Sequence, residues 1–414
     1  MNGGRRFVNL VAWDDLKGLY SLRRFDLSRN QFFYATPEEL SSHGRDMRLI
    51  RRDHVKGYPF RFENKKKSQE QRELAASERK KMGTIRLPTP LASMRPTPCL
   101  AAEPIYQHRL HCFPLSETDT LFADSGGQVF CYDAEHRCSV TMPSLGARKE
   151  DPLSLTISPD GGGIGSVYVI EKTLWPDRSS QFEALVSMRC FDHLPGPWRT
   201  WQRHELPLPP YVSEPGYEPR WSAIHAAAVV DNRVICVSAG DIGTYCFDMT
   251  TRTWSRAGDW HLPFRDKAEY VPELGLWFGP SADNPGLPCA ADLSAVLEGE
   301  PPERNLVWGD AHHMPEEWFD SCSFGSSNCA KMVSLGSGRF SIVRFFETRA
   351  PCRFVAFEDY TDRRFAVFTG LEVVHDKDGG GGGRKKKGGR LRMVKHKSRL
   401  FKIHPGDLSI VSIL

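Results

Sequence analysis

A short unit of glycine, aromatic residues and aspartate occurs twice in this chain, and it constrains the fold more than any other feature. Residues 125–133 read Ser-Gly-Gly-Gln-Val-Phe-Cys-Tyr-Asp, and residues 239–248 read Ala-Gly-Asp-Ile-Gly-Thr-Tyr-Cys-Phe-Asp. Each copy follows one strand-like stretch and leads through a polar turn into another. Because internal self-similarity marks repeat architectures, the two copies predict a fold built from repeated small antiparallel sheets.

Each part of this unit has a role in a four-stranded blade. The glycines permit a tight turn, the aromatic side chain packs between neighbouring blades, and the aspartate closes the next turn by binding its own backbone. One blade cannot bury both of its faces, so blades stack around an axis and leave few exposed edges. With Trp254 after the second copy, the unit is the kelch pattern in degenerate form. Weaker copies are expected at Asp160–Glu171 and Ser334–Phe345.

The remaining strand-like runs extend this prediction to the whole chain. They are short, rich in Val, Ile, Phe and Tyr, and separated by Gly, Pro, Asp and Asn, as strands are. We expect Phe7–Trp13 and Gly18–Phe25 to complete a blade with C-terminal strands and so close the ring. The predicted fold is therefore an all-β, kelch-like β-propeller of roughly five to seven four-stranded blades, closed by N- and C-terminal strands. An irregular β-sandwich or two small β domains are the alternatives.

The chain divides into three predicted parts. Residues 1–35 supply the N-terminal strands that complete the propeller, and residues 36–84 form a charged flexible insertion. Residues 85–414 form the main propeller body, with a Gly/Lys-rich loop at 377–390. The insertion is predicted because Ser68–Met82, the best helix candidate, is charged along most of its length and cannot bury much surface.

Five stretches carry a resemblance to a family, namely Arg6–Val11, Gly18–Arg24, Met142–Leu145, Leu335–Phe346 and Arg392–Ser398. They resemble a large family of uncharacterised proteins that is expanded in cereal grasses, a plant domain of unknown function. The matching stretches reach from residue 6 to about residue 404. The resemblance implies a kelch-like propeller without an established activity and without a catalytic motif. The glycine- and lysine-rich residues 379–389 depart from the usual family pattern.

The densest positive charge lies near the C-terminus. It comprises Arg384, Lys385, Lys386, Lys387, Arg390, Arg392, Lys395 and Lys397. Clustered cations release counterions from a polyanion, so a nucleic-acid contact or a nuclear-localisation signal is one interpretation. No aromatic residue is interleaved with these cations as in single-strand binders, and a net charge of +4 is too small to indicate nucleic acid by itself. We favour a solvated glycine-rich loop, with nucleic acid as an alternative partner.

The motifs of catalytic, metal and cofactor sites are missing from the sequence. Trp308–Trp318 contains histidines and glutamates, but it lacks the His-Glu-x-x-His order, and Pro315 breaks any helix there. The glycines at 161–163 lack a Gly-Lys-Ser/Thr ending and lead into a strand. We therefore predict no enzyme activity, no cofactor and no metal. An enzyme with a site in the propeller channel stays open as an alternative.

Cysteine usage and hydropathy predict where the protein acts. Its 11 cysteines are scattered without a Cys-x-x-Cys pair, which favours reduced thiols in the cytoplasm or the nucleus. We find neither a signal peptide nor a run of apolar residues long enough to span a membrane. The expected function is a non-enzymatic protein-interaction module of uncharacterised biological role. It would bind an unknown protein partner through its propeller loops, with a few aromatic and arginine anchors.

Overall fold

The computed structural model shows an almost entirely β protein. The residues that it describes are 5–14, 16–27, 32–43, 45–51, 74, 76–98, 108–157, 165–189, 199–283, 287–308, 330–351, 360–375, 391–403 and 408–414. Helical structure in these segments comprises α1 (Pro37–His43), residues 76–81, and two 3-10 helices at Pro210–Ser213 and Ser294–Glu298. None of the helices in the described part of the chain has the length and hydrophobicity that a membrane crossing needs.

The described residues contain 26 strands. In chain order they are β1 (Phe7–Asp14), β2 (Leu19–Asp26), β3 (Arg45–Arg51), β4 (Gly83–Thr84), β5 (Ala92–Met94), β6 (Leu110–Pro114), β7 (Asp119–Asp124), β8 (Val129–Asp133), β9 (Cys138–Thr141), β10 (Pro152–Ile157), β11 (Ser166–Glu171), β12 (Phe182–Arg189), β13 (Arg199–Glu205), β14 (Ile224–Val230), β15 (Val234–Ala239), β16 (Gly243–Asp248), β17 (Thr253–Gly258), β18 (Asp266–Val271), β19 (Leu276–Pro280), β20 (Pro288–Asp292), β21 (Glu303–Trp308), β22 (Ala330–Gly336), β23 (Arg339–Pro351), β24 (Tyr360–His375), β25 (Leu391–Ile403) and β26 (Leu408–Ile413).

These strands form six four-stranded antiparallel blades within the described residues. Blade I has the order β26-β1-β2-β5, and blades II to VI are β6–β9, β10–β13, β14–β17, β18–β21 and β22–β25. Strand β26, near the C-terminus, pairs with β1, near the N-terminus, which confirms the predicted closure by N- and C-terminal strands. This closure leaves neither end of the ring as an open edge.

Six hydrophobic clusters among the described residues each join two neighbouring blades. Phe182 of blade III meets Phe247 of blade IV edge-on, with ring centroids 4.9 Å apart. Leu10 of blade I and Val343 of blade VI share the cluster that completes the circle. The contacts run I–II, II–III, III–IV, IV–V, V–VI and VI–I. The described residues therefore form a six-bladed β-propeller, within the predicted range, while its kelch-like character stays a prediction.

Strand β3 connects two blades at their outer edges. It pairs antiparallel with β21 of blade V on one side and with β25 of blade VI on the other. Near the axis, β14 of blade IV pairs parallel with β18 of blade V. Both α1 and β3 fall inside residues 36–84, of which 52–73 lie outside the described residues. The division of the chain into three parts stays a prediction.

The repeated unit has the turn chemistry that was predicted for it. Gly127 and Gly243 adopt φ of 87° and 101°, in the left-handed region that favours glycine. The Asp133 carboxylate accepts hydrogen bonds from the backbone N–H groups of the two residues after Ala134, at 2.8 and 2.9 Å. Asp248 accepts two equivalent bonds from Thr250 and Thr251, at 2.8 and 3.1 Å. Each aspartate thus closes the turn after its strand.

The weaker copies do not occupy the equivalent place in a blade. The glycine turns of the two strong copies lie between the second and third strands of blades II and IV. Gly336 and Gly338 lie instead between the first and second strands of blade VI. A repeat unit at Ser334–Phe345 is therefore a wrong prediction, because its glycines form a different turn. Residues 160–164 of the other weak copy lie outside the described residues.

Candidate functional site

A central cavity lies where the inner strands of several blades converge. Strands β6, β10, β14, β18 and β22 contact one another around the axis. The cavity has a volume of about 700 Å³, and its lining includes, from blades I to V in turn, Arg5, Ser116, Thr156, Asn232 and Trp277. Thr156 lies near the C-terminal end of β10, and Asn232 lies in the turn after β14. The cavity is therefore at the end of the channel where the C-terminal ends of these inner strands meet.

Strand β18 supplies one ion pair of this cavity. Lys267 and Glu269 line it, with Lys267 Nζ 3.1 Å from Glu269 Oε1. Their neighbours Ala268 and Val271 are buried in the clusters shared with blades IV and VI. Burial alone would raise the pKa of Glu269, but the charges of Lys267 and Arg5 lower it below its ordinary value. Glu269 is therefore ionised near neutral pH.

Two aromatic side chains form one wall of the cavity. Trp277 is 5% exposed, and its indole Nε1 donates a hydrogen bond to the Val229 carbonyl oxygen at 2.7 Å. Tyr270 is 48% exposed, and its ring lies 4.5 Å from the Trp277 ring, centroid to centroid. Trp277 thus holds Tyr270 in place and leaves half of its surface free for contact. Such an amphipathic aromatic surface suits protein recognition.

Hydrogen bonds between blades fix the rim of the cavity. Glu117, in the turn after β6, accepts hydrogen bonds from the backbone N–H groups of Arg6 and Phe7, at 3.2 and 3.1 Å. The side-chain amide of Asn9 donates to the Glu117 carbonyl oxygen at 3.1 Å. The Thr156 hydroxyl donates to the carbonyl oxygen of the last residue of β6. Blades I, II and III are therefore joined here, and the cavity is preformed.

An ion-pair network ties the blades at the opposite end of the channel. Asp266 begins β18, and Lys172 Nζ donates a hydrogen bond to its carboxylate at 2.7 Å. Lys331 Nζ lies 3.5 Å from Asp266, and Lys172 Nζ lies 3.5 Å from Asp151. Burial acts to raise the pKa of Asp266, but the positive charges of Lys331 and Lys172 have a larger effect in the opposite direction. The pKa of Asp266 therefore lies below its ordinary value. Blades III, V and VI are held together by these charges.

A buried charge network joins blades II and III. Lys149 Nζ lies 2.5 Å from Glu183 Oε2, and both side chains are at most 1% exposed. Glu183 Oε1 accepts hydrogen bonds from the Gly146 backbone N–H at 2.7 Å and from Arg203 Nη1 at 2.8 Å. Lys149 also donates to the carbonyl oxygen of Ser180 at 2.5 Å. The polar atoms of the pair are thus satisfied, as burial of charge requires.

Glu171 lies beside this network, in the wall of a second cavity of about 470 Å³. It is 8% exposed, and its two oxygens accept the backbone N–H groups of Glu150 and Asp151, at 2.6 and 3.1 Å. Burial raises its pKa to about 7, although those two hydrogen bonds and the charge of Lys149 act in the opposite direction. Glu171 therefore titrates near neutral pH.

The stability that Glu171 contributes is expected to be lost as the pH rises. Its pKa is about 7 in the folded protein and 4.5 ordinarily, so the folded protein binds the proton more tightly than the unfolded chain. The contribution is fully present below pH 4.5 and falls by roughly 3 kcal/mol as the pH rises from 4.5 through 7. Urea unfolding across this range should show the loss in the wild type and not in Glu171→Gln. Equal pH dependence in both proteins would contradict the assignment.

The predicted basic patch lies only partly within the described residues. Residues 384–387 and 390 fall outside them, and residue 392 is described in its backbone as part of β25. Lys395 and Lys397 also belong to β25 and are half-buried, with Lys397 Nζ 4.8 Å from the centroid of the Tyr34 ring. A nucleic-acid contact stays a prediction, and its test is a steep salt dependence of binding that disappears when residues 384–387 are neutralised.

The residues that line the central cavity were not predicted from the sequence. Strand β18 carries Asp266, Lys267 and Glu269, so it lacks a continuous apolar run. The available signal was its alternation, with Lys267 and Glu269 on one face and Ala268 on the other. Residues 309–318, considered for metal binding, lie outside the described residues.

Comparisons with known proteins bear on fold and family. A search of curated proteins found no match to this chain. The crystal structure of the Myceliophteria thermophila Cps50 (Swd1) β-propeller domain is similar at 10% sequence identity, over 70% of this chain and 83% of that one, with a TM-score of 0.33. A TM-score this low does not establish a shared fold. The propeller assignment rests on the six blades of the described residues and on the hydrophobic clusters between them.

The family comparison covers nearly the whole chain. A family model described as "Protein of unknown function (DUF1668)" matches residues 5–401. The match agrees with the resemblance to a family of unknown function, while an origin in cereal grasses stays a prediction. Because the model spans well over half of the sequence, the chain belongs to the DUF1668 family of proteins of unknown function.

Proposed function

We propose that this propeller is a non-enzymatic protein-interaction module that binds an extended segment of a partner protein in the central cavity. The proposal rests on the position of Tyr270, whose side chain is half-exposed at the cavity and packs against the ring of Trp277. The cavity volume of about 700 Å³ is in the range of ligand-binding clefts and accommodates a few side chains. Central aromatic anchors commonly supply much of the affinity of protein interfaces.

The ion pair of Lys267 and Glu269 favours binding over catalysis. Glu269 is paired with Lys267 at 3.1 Å, and its pKa lies below the ordinary value. A general acid or base works best with a pKa near the operating pH, which Glu269 does not have. The same ion pair offers a carboxylate and an ammonium group to the polar atoms of a bound peptide. We therefore propose that the cavity recognises a segment that combines an apolar or aromatic side chain with polar neighbours.

Replacing Tyr270 by alanine is expected to weaken partner binding at least tenfold, about 1.4 kcal/mol, because a buried aromatic contact is lost. The partner would first be isolated by affinity purification with the full-length protein. Its dissociation constant would then be measured by titration calorimetry for the wild type and for Tyr270→Ala.

Trp221→Ala is the matched control for this experiment. Trp221 is 77% exposed and lies just before β14, at the end of that strand away from the cavity. Its replacement should leave affinity unchanged. If Trp221→Ala abolishes binding while Tyr270→Ala binds normally, the partner site is on the other face, and the proposal for the cavity is wrong.

A further inference from the structure

Two cysteines face each other across the middle of blade IV. Cys236 on β15 and Cys246 on β16 are directly opposite in the antiparallel register. Their sulfur atoms lie 2.8 Å apart, and either thiol can donate a hydrogen bond to the other. Both are free thiols, with Cys236 0% and Cys246 5% exposed.

The geometry of this pair suits a disulfide bond. Directly opposed residues of antiparallel strands have Cα atoms about 4.5 or 5.5 Å apart, and disulfides form at Cα separations of about 4.4–6.8 Å. The bond length of a disulfide is about 2.05 Å, so the two sulfur atoms need to approach by less than about 1 Å. Side-chain rotation supplies that movement without any change of backbone register.

Other cysteines in the described part of the chain lack this arrangement. Cys289 belongs to the same hydrophobic cluster as the pair and is 1% exposed, but its sulfur contacts a carbonyl oxygen, that of Ala290, at 4.0 Å. Cys138 is exposed and lies on β9 at the edge of blade II. These two thiols provide a buried control and an exposed control for the reactivity of the pair.

We propose that Cys236 and Cys246 form a redox-active dithiol, which a hydroperoxide such as hydrogen peroxide converts into a disulfide within blade IV. A small oxidant is required because the pair is buried, and hydrogen peroxide is hardly larger than water. The product would link the two central strands of the blade covalently and leave the other blades unchanged.

The unequal burial of the two thiols gives the order of the steps. Cys246 has the residual exposure, so its sulfur attacks the hydroperoxide. A sulfur–oxygen bond forms, the oxygen–oxygen bond breaks, and the oxidant leaves as water after taking up the proton of the thiol. The Cys236 sulfur then attacks the resulting sulfenic acid. The disulfide bond forms, the sulfur–oxygen bond breaks, and the Cys236 proton leaves with the hydroxide as a second water.

The protonation of Cys236 agrees with this order. Its hydrogen bond with Cys246, followed by burial, raises the pKa of Cys236 well above the ordinary value. Cys236 therefore stays a thiol and is a poor first nucleophile, since the thiolate is the reactive form. It acts as the resolving thiol after Cys246 has become a sulfenic acid, because the two sulfur atoms lie only 2.8 Å apart in the reduced pair.

Peptide mapping of the full-length protein tests the proposal. Trypsin releases residues 234–252, with both cysteines, as one peptide, because Arg233 and Arg252 flank it and no Lys or Arg lies between them. After hydrogen peroxide treatment of the folded protein, unfolding and N-ethylmaleimide labelling, we expect this peptide to lack two hydrogens and to carry no maleimide. Dithiothreitol should restore both maleimide labels. A peptide that keeps two labels after oxidation would overturn the proposal.

Single variants separate the two roles. Cys236→Ser should leave a Cys246 sulfenic acid that dimedone labels, and Cys246→Ser should leave Cys236 as an unreacted thiol. The Cys289 peptide should keep its maleimide label throughout, and the exposed Cys138 should lose its label. Circular dichroism of each variant checks that it is folded. Equal dimedone labelling of the two variants would show that the thiols have no fixed order, and oxidation of Cys289 together with the pair would show general unfolding and no specific dithiol.

Discussion

Replacing Glu183 by alanine is expected to lower the free energy of unfolding by about 3–5 kcal/mol, because it leaves a buried charge without its partner. Lys149, whose Nζ lies 2.5 Å from Glu183, is only 1% exposed and has no access to water. Gly146 and Arg203 lose a hydrogen-bond acceptor in the same step. Urea unfolding of the full-length protein, followed by circular dichroism, measures the effect.

Two further variants show whether burial is the cause. Lys17→Ala removes the lysine of an exposed pair, in which Lys17 Nζ lies 3.1 Å from Asp14, and should cost less than about 1 kcal/mol. Combining Glu183→Leu with Lys149→Met replaces the whole buried pair by apolar side chains and should recover much of the lost stability. A cost for Glu183→Ala as small as that for Lys17→Ala would mean that water reaches the pair.

Gly243→Ala is the second substitution with a large expected effect, a loss of about 2–4 kcal/mol. Gly243 has φ of 101°, and a Cβ there would overlap the backbone carbonyl oxygen of Gly258 and approach Asp259 Cα to 3.0 Å. Both atoms are backbone, so neither can rotate away. The residue lies in the glycine turn of the repeated unit, where β16 begins.

Gly275→Ala is the matched control because Gly275 also has a positive φ but lacks the overlap. Gly275 has φ of 64°, and a Cβ there would meet no atom within 4 Å. Its replacement should lower the free energy of unfolding by only about 1–2 kcal/mol, the cost of placing a residue with a Cβ in a left-handed backbone conformation. Thermal or urea unfolding of both variants gives the comparison, and equal losses would show that the contact with Gly258 does not matter.

The strands that the sequence predicted are those with a buried hydrophobic face. Strand β14, at Ile224–Val230, is such a strand, because its alternate residues pack against two neighbouring blades. Strand β9, at Cys138–Thr141, was expected only as the strand after the polar turn of the first repeat copy, because all of its residues are exposed at the blade edge. Outer strands form by pairing with the strand inside them, a tertiary effect that leaves little mark on their own composition.

The candidate site was harder to predict for a related reason. Lys267 and Glu269 read as surface charges in the sequence, yet the ring of blades turns them towards a central cavity. Lys149 and Glu183 are 34 residues apart and give no local sign that they form a buried pair. Charged residues acquire these roles from blade closure, which depends on contacts between distant parts of the chain.

The pairing of β3 and of β26 has a consequence for folding during synthesis. Strand β3 leaves the ribosome early, but its two partners are β21 and β25, which are synthesised near the end of the chain. Strand β1 likewise cannot pair along its inner edge until β26 has been synthesised. Because domains fold as their segments emerge, blades II to IV can assemble while these edges are still unpaired. The unpaired edges of β1 and β3 are thus exposed on the nascent chain until their partners have been synthesised, and the ring cannot close before β26 has been synthesised.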